Sequence, residues 1–115
     1  MSEHEEIDAL TNRYLNAFRN KDAQECADCY TEDAVYVACG SQPIRGRAAI
    51  RSLHESIMED GFQILKVETT DIEVSQGLAY ILQTLQGNKG NSIALLVLRC
   101  EEKGRWRVCA ESEVS

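Results

Sequence analysis

Few of the side chains able to move a proton or hold an ion stand at spacings that suggest a site. His54 is one of 2 histidines, and a pKa close to neutrality suits it to act as acid or base. It shares a helical face with Ile50, Leu53, Ile57 and Met58, so the competing reading is a histidine packed at the margin of the core. Tyr14 sits on an earlier apolar stripe, where a tyrosine either lines a pocket or fills core space and sends its hydroxyl to a nearby acceptor. Arg99 lies inside the apolar run SIALLVLRC. Turned inward it needs an acid or an anionic ligand; turned outward it is solvated or belongs at an interface, which is the favoured reading.

The 5 cysteines, Cys26, Cys29, Cys39, Cys100 and Cys109, are odd in number and read as reduced, small buried residues. Cys26 and Cys29 form a CxxC, but it falls in a helical segment and no second pair of ligands follows at short spacing, so neither a metal site nor a cofactor is expected. The 12 Lys and Arg are scattered among 19 acids for a net charge of −7, which argues against a nucleic-acid partner. The opening MSEHEEIDAL has neither a basic nor an apolar leader region, and no run approaches the roughly 18 apolar residues of a membrane span. A cytoplasmic protein that keeps away from membranes is the expectation.

These side chains must be held by a single domain, 1–115, since 115 residues with 43% hydrophobic content suffice for one core. Ser2 and Glu5 fit a capping box, after which Ile7, Leu10, Thr11, Tyr14, Ala17 and Phe18 recur at helical spacing and predict a helix over about 4–19. Asp22 caps a second short helix with Ala23, Cys26, Ala27 and Tyr30 on one face, ending near Thr31. Ala34 to Ala38 reads as a short strand closed by Gly40-Ser41-Gln42-Pro43. Gly46 frees the backbone for a third helix from Arg47, which Gly61 stops. Four β-rich runs follow, about 62–75, 78–86, 92–102 and 105–113, parted by glycine turns at Gly77, Gly87 to Gly90 and Gly104, as in an antiparallel meander. Helices first and strands last is the α+β pattern.

The order of RYLNAFRNKD, CADCYTEDAVYV, PIRGRAAI and a meander ending in KGRWRV resembles the nuclear-transport-factor-2-like superfamily, with its polyketide-cyclase-like and ketosteroid-isomerase-like members. The resemblance implies a cone: three N-terminal helices packed on a curled antiparallel sheet of one short strand plus a four-strand meander. It also implies a pocket between the helices and the concave sheet face. Candidates for its lining are Tyr14, Phe18, Tyr36, His54, Tyr80, Leu82, Val97, Arg99, Trp106 and Val108. On the last strand Trp106, Val108 and Ala110 share one face, taken as inward, opposite Arg107, Cys109 and Glu111. Ile81 and Leu85, with Ile93 and Leu95, leave the outer sheet face apolar, which predicts a homodimer through that face.

Set against ketosteroid isomerase, Tyr14 falls where a tyrosine hydrogen-bonds the developing oxyanion, and His54 where a second pocket tyrosine would bond the first. This implies a Tyr14 to His54 hydrogen bond and makes both the candidate catalytic residues. The isomerase's proton-moving aspartate falls on Ala38, and its second acid in the apolar run Leu95-Leu96-Val97, so activity of that type is not expected. The Asp and Arg sets of related hydrolases and dehydratases find only Asp71 and Arg99. Two functions remain. One is a binder of, or enzyme acting on, a small apolar molecule, with Tyr14, His54 and Tyr36 as polar handles and isomerase, cyclase or dehydratase chemistry if it is an enzyme. The other is a non-catalytic association module, like that of calmodulin-dependent kinases, its cavity plugged by Phe18, Tyr36 and Trp106. An open cavity holding a perturbed titratable group separates the first from the second.

Overall fold

The structure, a computed structural model, describes residues 1–115. Ser2 begins α1 (Glu3–Arg19): its hydroxyl accepts from the Glu5 amide at 3.1 Å while the Glu5 carboxylate accepts from the Ser2 amide at 3.0 Å. Ile7, Leu10, Ala17 and Phe18 form its buried face. Asp22 caps α2 (Ala23–Asp28) by accepting from the Glu25 amide at 3.0 Å. This helix stops before Thr31, because Tyr30 already belongs to β1 (Tyr30–Ala38), and both Tyr30 and Thr31 are buried as strand residues.

The ladder of β1 is interrupted between Tyr30 and Val35. Arg47 covers the break, its Nε and Nη2 donating to the Tyr30 carbonyl at 3.0 and 2.7 Å. A two-residue strand, β2 (Ile44–Arg45), pairs antiparallel with β1. Gly46, at φ 92 and ψ 150, then turns the chain into α3 (Arg47–Glu59) while its amide donates to the Ala34 carbonyl at 2.8 Å. That torsion pair is open to glycine and costly for any residue with a β-carbon. Gly61, at φ 79, ends the helix as expected.

The meander consists of β3 (Ile64–Ser75), β4 (Leu78–Gly87), β5 (Gly90–Glu102) and β6 (Arg105–Val114). The sheet has six strands in the order β2-β1-β6-β5-β4-β3. It is mixed rather than antiparallel throughout, because β1 runs parallel to β6. A tight turn dictates an antiparallel pair, but α3 and four strands separate β1 from β6 in the chain, so their relative direction is set by packing. The helices lie over one face, where Ile7, Leu10, Ile50, Ile81, Leu98 and Trp106 form the main core.

Facing is decided strand by strand. On β4 Ala79 and Ile81 are buried and Tyr80 is exposed; on β5 Ala94, Leu96 and Leu98 are buried and Ile93 and Leu95 exposed. On β6 Trp106 and Val108 face in as predicted, but Val97 opposes Ala110 while Leu98 opposes Val108. Cys109 is therefore an extra residue, and beyond this bulge the alternation inverts. No helix is long and apolar enough to cross a membrane. All five cysteines are free: Cys26 and Cys29 are buried, whereas Cys39 is exposed and Cys100 and Cys109 are half-buried, so the buried reading holds for two of them. Burial pushes the Cys26 thiol up to about 12 and the Cys29 thiol up to about 11, which leaves both protonated.

A β-carbon added at Gly46 would meet only the Glu32 carbonyl at an ordinary 3.7 Å. Gly46→Ala should therefore lose about 1–3 kcal/mol through backbone strain alone. Urea unfolding should show a lower midpoint with an unchanged slope; an unshifted midpoint would show that the turn tolerates a side chain.

Candidate functional site

A cavity of about 630 Å³ lies between α1, α3 and the concave face of the sheet. Its walls are mainly apolar, with Leu10, Phe18, Ile57, Phe62, Ile81 and Leu96 contributing, and a few hydrogen-bonded pairs interrupt them. The first pair joins α1 to α3. His54 Nδ1 is 2.8 Å from the Ile50 carbonyl one turn back, and Tyr14 Oη is 2.8 Å from His54 Nε2. A carbonyl only accepts, so Nδ1 carries the hydrogen and the Tyr14 hydroxyl donates to Nε2. His54 is 2% exposed, and this burial lowers its pKa and keeps the ring neutral. The rings of Tyr14, Tyr30 and Phe18 surround it at 5.6, 5.9 and 6.3 Å between centroids.

The second feature was hidden from strand alternation. Past the bulge at Cys109, Glu111 and Glu113 turn inward and line the cavity. Tyr30 donates to Glu111 Oε1 at 2.7 Å; Tyr36 donates to Glu113 Oε1, and Ser92 donates to Glu113 Oε2 at 2.7 Å. Glu111 is half-buried and lines the cavity. Burial pushes its carboxyl up to about 8; the bond from Tyr30 opposes the rise and the neighbouring Glu113 adds to it. Burial also raises the pKa of Tyr30 and Tyr36, so both keep the protons they donate. The β1–β6 register sets Tyr36 beside Glu111 and Ala38 beside Glu113. Directly paired residues share a face. A carboxyl thus stands one strand away from Ala38, where the sequence offered none.

Of the residues predicted to line a pocket, Tyr14, Phe18, Tyr36, His54 and Val108 do. Trp106 is buried in the core without reaching the cavity, and its indole donates to Glu6 Oε1 at 3.3 Å. Tyr80, Leu82, Val97 and Arg99 lie on the outer face, since the β4–β5 register pairs Tyr80 with Val97, Leu82 with Leu95 and Leu78 with Arg99. Ile81 and Leu85, read as outward, line the cavity instead. Alternation divides a strand into two sets, and only packing against the helices says which set is inside. Arg99 meets Asp33 at 3.4 Å on the surface.

Further lining residues went unread. Gln83 Nε2 donates to Thr11 Oγ1 at 3.2 Å and Thr69 Oγ1 at 3.1 Å, which leaves its Oε1 without a protein donor. The one available signal for the carboxylates was the alternate pair in CAESEV, whose burial requires a change of phase after Val108. Asp60 and Lys89, both exposed, mark the mouth. No cluster of three His, Cys, Asp or Glu side chains is arranged to hold a metal ion.

The SnoaL-like domain model matches residues 11–110. The chain belongs to the SnoaL-like family. A search of curated proteins finds no match. Among solved structures, this SnoaL-like domain is similar to a ketosteroid isomerase-like protein from Erwinia carotovora atroseptica, with TM-score 0.77 and 19% identity over 94% of this chain and 92% of that one. An NTF2-like protein with a cystatin-like fold from Novosphingobium aromaticivorans gives TM-score 0.75 and 23% identity over 97% and 80%. A putative calcium/calmodulin-dependent protein kinase type II association domain from Thiobacillus denitrificans gives 0.79 and 15% over 93% and 92%. At these identities the likeness establishes the α+β cystatin-like cone alone, and the chemistry rests on this SnoaL-like chain's own side chains.

The carboxyl of Glu111 titrates near 8 in the folded protein against an ordinary 4.5. Between those values the folded state holds a proton that the unfolded chain has released. The stability it contributes is complete below pH 4.5 and is lost as pH rises through 8, at no more than about 1.4 kcal/mol per pH unit. Glu111→Gln keeps an acceptor for Tyr30 and cannot ionise. The unfolding free energy of the variant relative to the wild type should therefore grow across that window. A flat difference would mean that Glu111 does not titrate with the fold.

Proposed function

We propose that this SnoaL-like chain binds a small, largely apolar carbonyl compound in the cavity. There it catalyses proton transfer at the carbon beside the carbonyl, the step common to isomerisation, cyclisation and dehydration. The observation that carries this reading is Glu111, a carboxyl in an apolar wall with its pKa raised to about 8, beside a second carboxyl at Glu113. A group that titrates near the working pH is suited to give and take protons. In this scheme Glu111 hands its proton to the carbonyl oxygen and Glu113 takes the hydrogen from the neighbouring carbon, leaving an enol. Return of a proton to a different atom gives the isomer, while attack by the enol carbon elsewhere in the molecule closes a ring. Two carboxyls in different environments are a recurring way of dividing acid and base roles.

The volume of about 630 Å³ falls within the roughly 300–1,000 Å³ usual for small-molecule sites. Phe18 and Tyr36 line this space without filling it, and Trp106 lies outside it. The association-module reading, which needs them as a plug, loses its support accordingly.

The same reading includes a homodimer through the outer sheet face, where Leu78, Tyr80, Ile93 and Leu95 are 51%, 44%, 52% and 45% exposed. A contiguous apolar face on a single-layer sheet favours a partner. Light scattering at micromolar concentration should give about twice 12.9 kDa, and Ile93→Asp should halve it; a wild-type monomer would refute the dimer.

The function is tested by screening steroids, aromatic ketones and polyketide-like acids for thermal stabilisation, since a ligand at 100 times its Kd adds roughly 2.7 kcal/mol. Stabilising ketones should exchange the hydrogen beside the carbonyl for deuterium in heavy water, followed by proton NMR. Glu111→Gln and Glu113→Gln should each slow this exchange roughly 10²–10⁴-fold. Stabilisation without exchange would leave a binder and remove the enzyme; no stabilisation by any class would return the association module to favour.

A further inference from the structure

The resemblance to ketosteroid isomerase implied a Tyr14 that gives its proton to a ligand oxyanion. The geometry runs the other way. His54 donates through Nδ1 to the Ile50 carbonyl at 2.8 Å, so its Nε2 is a bare acceptor, and the Tyr14 hydroxyl at 2.8 Å is the only donor it has. The proton of Tyr14 is committed to His54. Its oxygen still has acceptor capacity, no protein group donates to it, and Tyr14 lines the cavity. Rotating the hydroxyl toward a ligand carbonyl would strand Nε2 on a ring that is 2% exposed, and an unpartnered buried acceptor weakens whatever state creates it.

We infer that Tyr14 accepts a hydrogen bond from a hydroxyl on the ligand, so that the site prefers an apolar ketone that also carries a hydroxyl over the ketone alone. This rests on the reading of the cavity as a site for apolar carbonyl compounds. His54 is then a positioning residue, since it fixes the direction of the Tyr14 hydroxyl and both its ring nitrogens are engaged by protein. The carbonyl belongs at Glu111, where Oε1 is occupied by Tyr30 and Oε2 has no protein partner. Both points border one aromatic wall: the Tyr30 ring lies 6.4 Å from that of Tyr14, and its hydroxyl is bonded to Glu111. A ligand with a carbonyl alone satisfies Glu111 and sets carbon against the Tyr14 oxygen, which has lost its water for nothing.

The test is calorimetric titration at neutral pH with benzophenone, its meta and para hydroxy derivatives, their methyl ethers, and the matching benzylphenols, which lack the carbonyl. The better hydroxy isomer should bind roughly three- to tenfold tighter than benzophenone. The methyl ethers should forfeit that gain and the benzylphenols should bind less well. Tyr14→Phe should bind benzophenone at least as tightly as the wild type, because no hydroxyl oxygen is then desolvated against carbon, and show no hydroxyl gain; its thermal unfolding reports on its fold. Nitrogen NMR should find the His54 hydrogen on Nδ1. Equal binding of benzophenone and both hydroxy isomers, a gain that the methyl ethers keep, or a hydrogen on Nε2 overturns the inference while leaving the binding reading intact. So does a gain that survives Tyr14→Phe and disappears in Gln83→Leu, because the hydroxyl is then read by Gln83. Failure of every probe to bind removes the binding reading and the inference together.

Discussion

The contents of the cavity depend on a single unpaired residue in β6. Cys109 has no counterpart on β5, where Val97 faces Ala110 and Leu98 faces Val108, and its thiol donates to the Val97 carbonyl at 3.4 Å. Without the bulge, strict alternation would send Glu111 and Glu113 to the outer face and fill the cavity wall with Ala110 and Ser112. With it, two carboxyls are carried into an apolar space. The irregular stretch of β1 between Tyr30 and Val35 lies against the same part of β6, so both ladders that β6 makes are broken at Cys109.

Bringing carboxyls inside is costly unless their oxygens are engaged or their charge is suppressed. Both remedies are present. Tyr30, Tyr36 and Ser92 each donate a hydroxyl hydrogen bond to the pair, and burial holds Glu111 toward its neutral form. No buried side-chain nitrogen or oxygen lacks a hydrogen-bond partner. The polar groups of the cavity are thus fixed in place before any ligand arrives, which is the condition for them to discriminate between ligands.

The helices fix the opposite wall by equally local means. Gly46 re-aims the chain and Arg47 fastens the start of α3 to the broken ladder at Tyr30, so that His54, two turns further on, arrives against Tyr14. One backbone carbonyl, that of Ile50, then determines which nitrogen of His54 carries the hydrogen, and through it which way the Tyr14 hydroxyl points. The polarity of this wall follows from the direction of a hydrogen bond as well as from which residues are present.

The elements themselves could be read from the chain because their signals are local: the Ser2–Glu5 capping box, the Asp22 cap, the positive-φ glycines Gly46 and Gly61, and the turns between strands. Apolar stripes put Tyr14, Phe18 and His54 on the inward faces of α1 and α3, because helical periodicity states a face without ambiguity over three turns, and the family resemblance made them pocket candidates. Strand faces differ. A period of two separates Tyr80 from Ile81 and Val97 from Leu98 but is silent on which is inside, and it assumes that no residue is extra. Only the packed sheet, with β1 laid parallel on β6 and Cys109 unpaired between its neighbours, put Glu111 and Glu113 in the cavity and Arg99 at the surface. The sequence by itself determined the helices, turns and cone; the side chains that give the cavity its chemistry were decided by tertiary pairing, because register and bulges are settled between strands far apart in the chain.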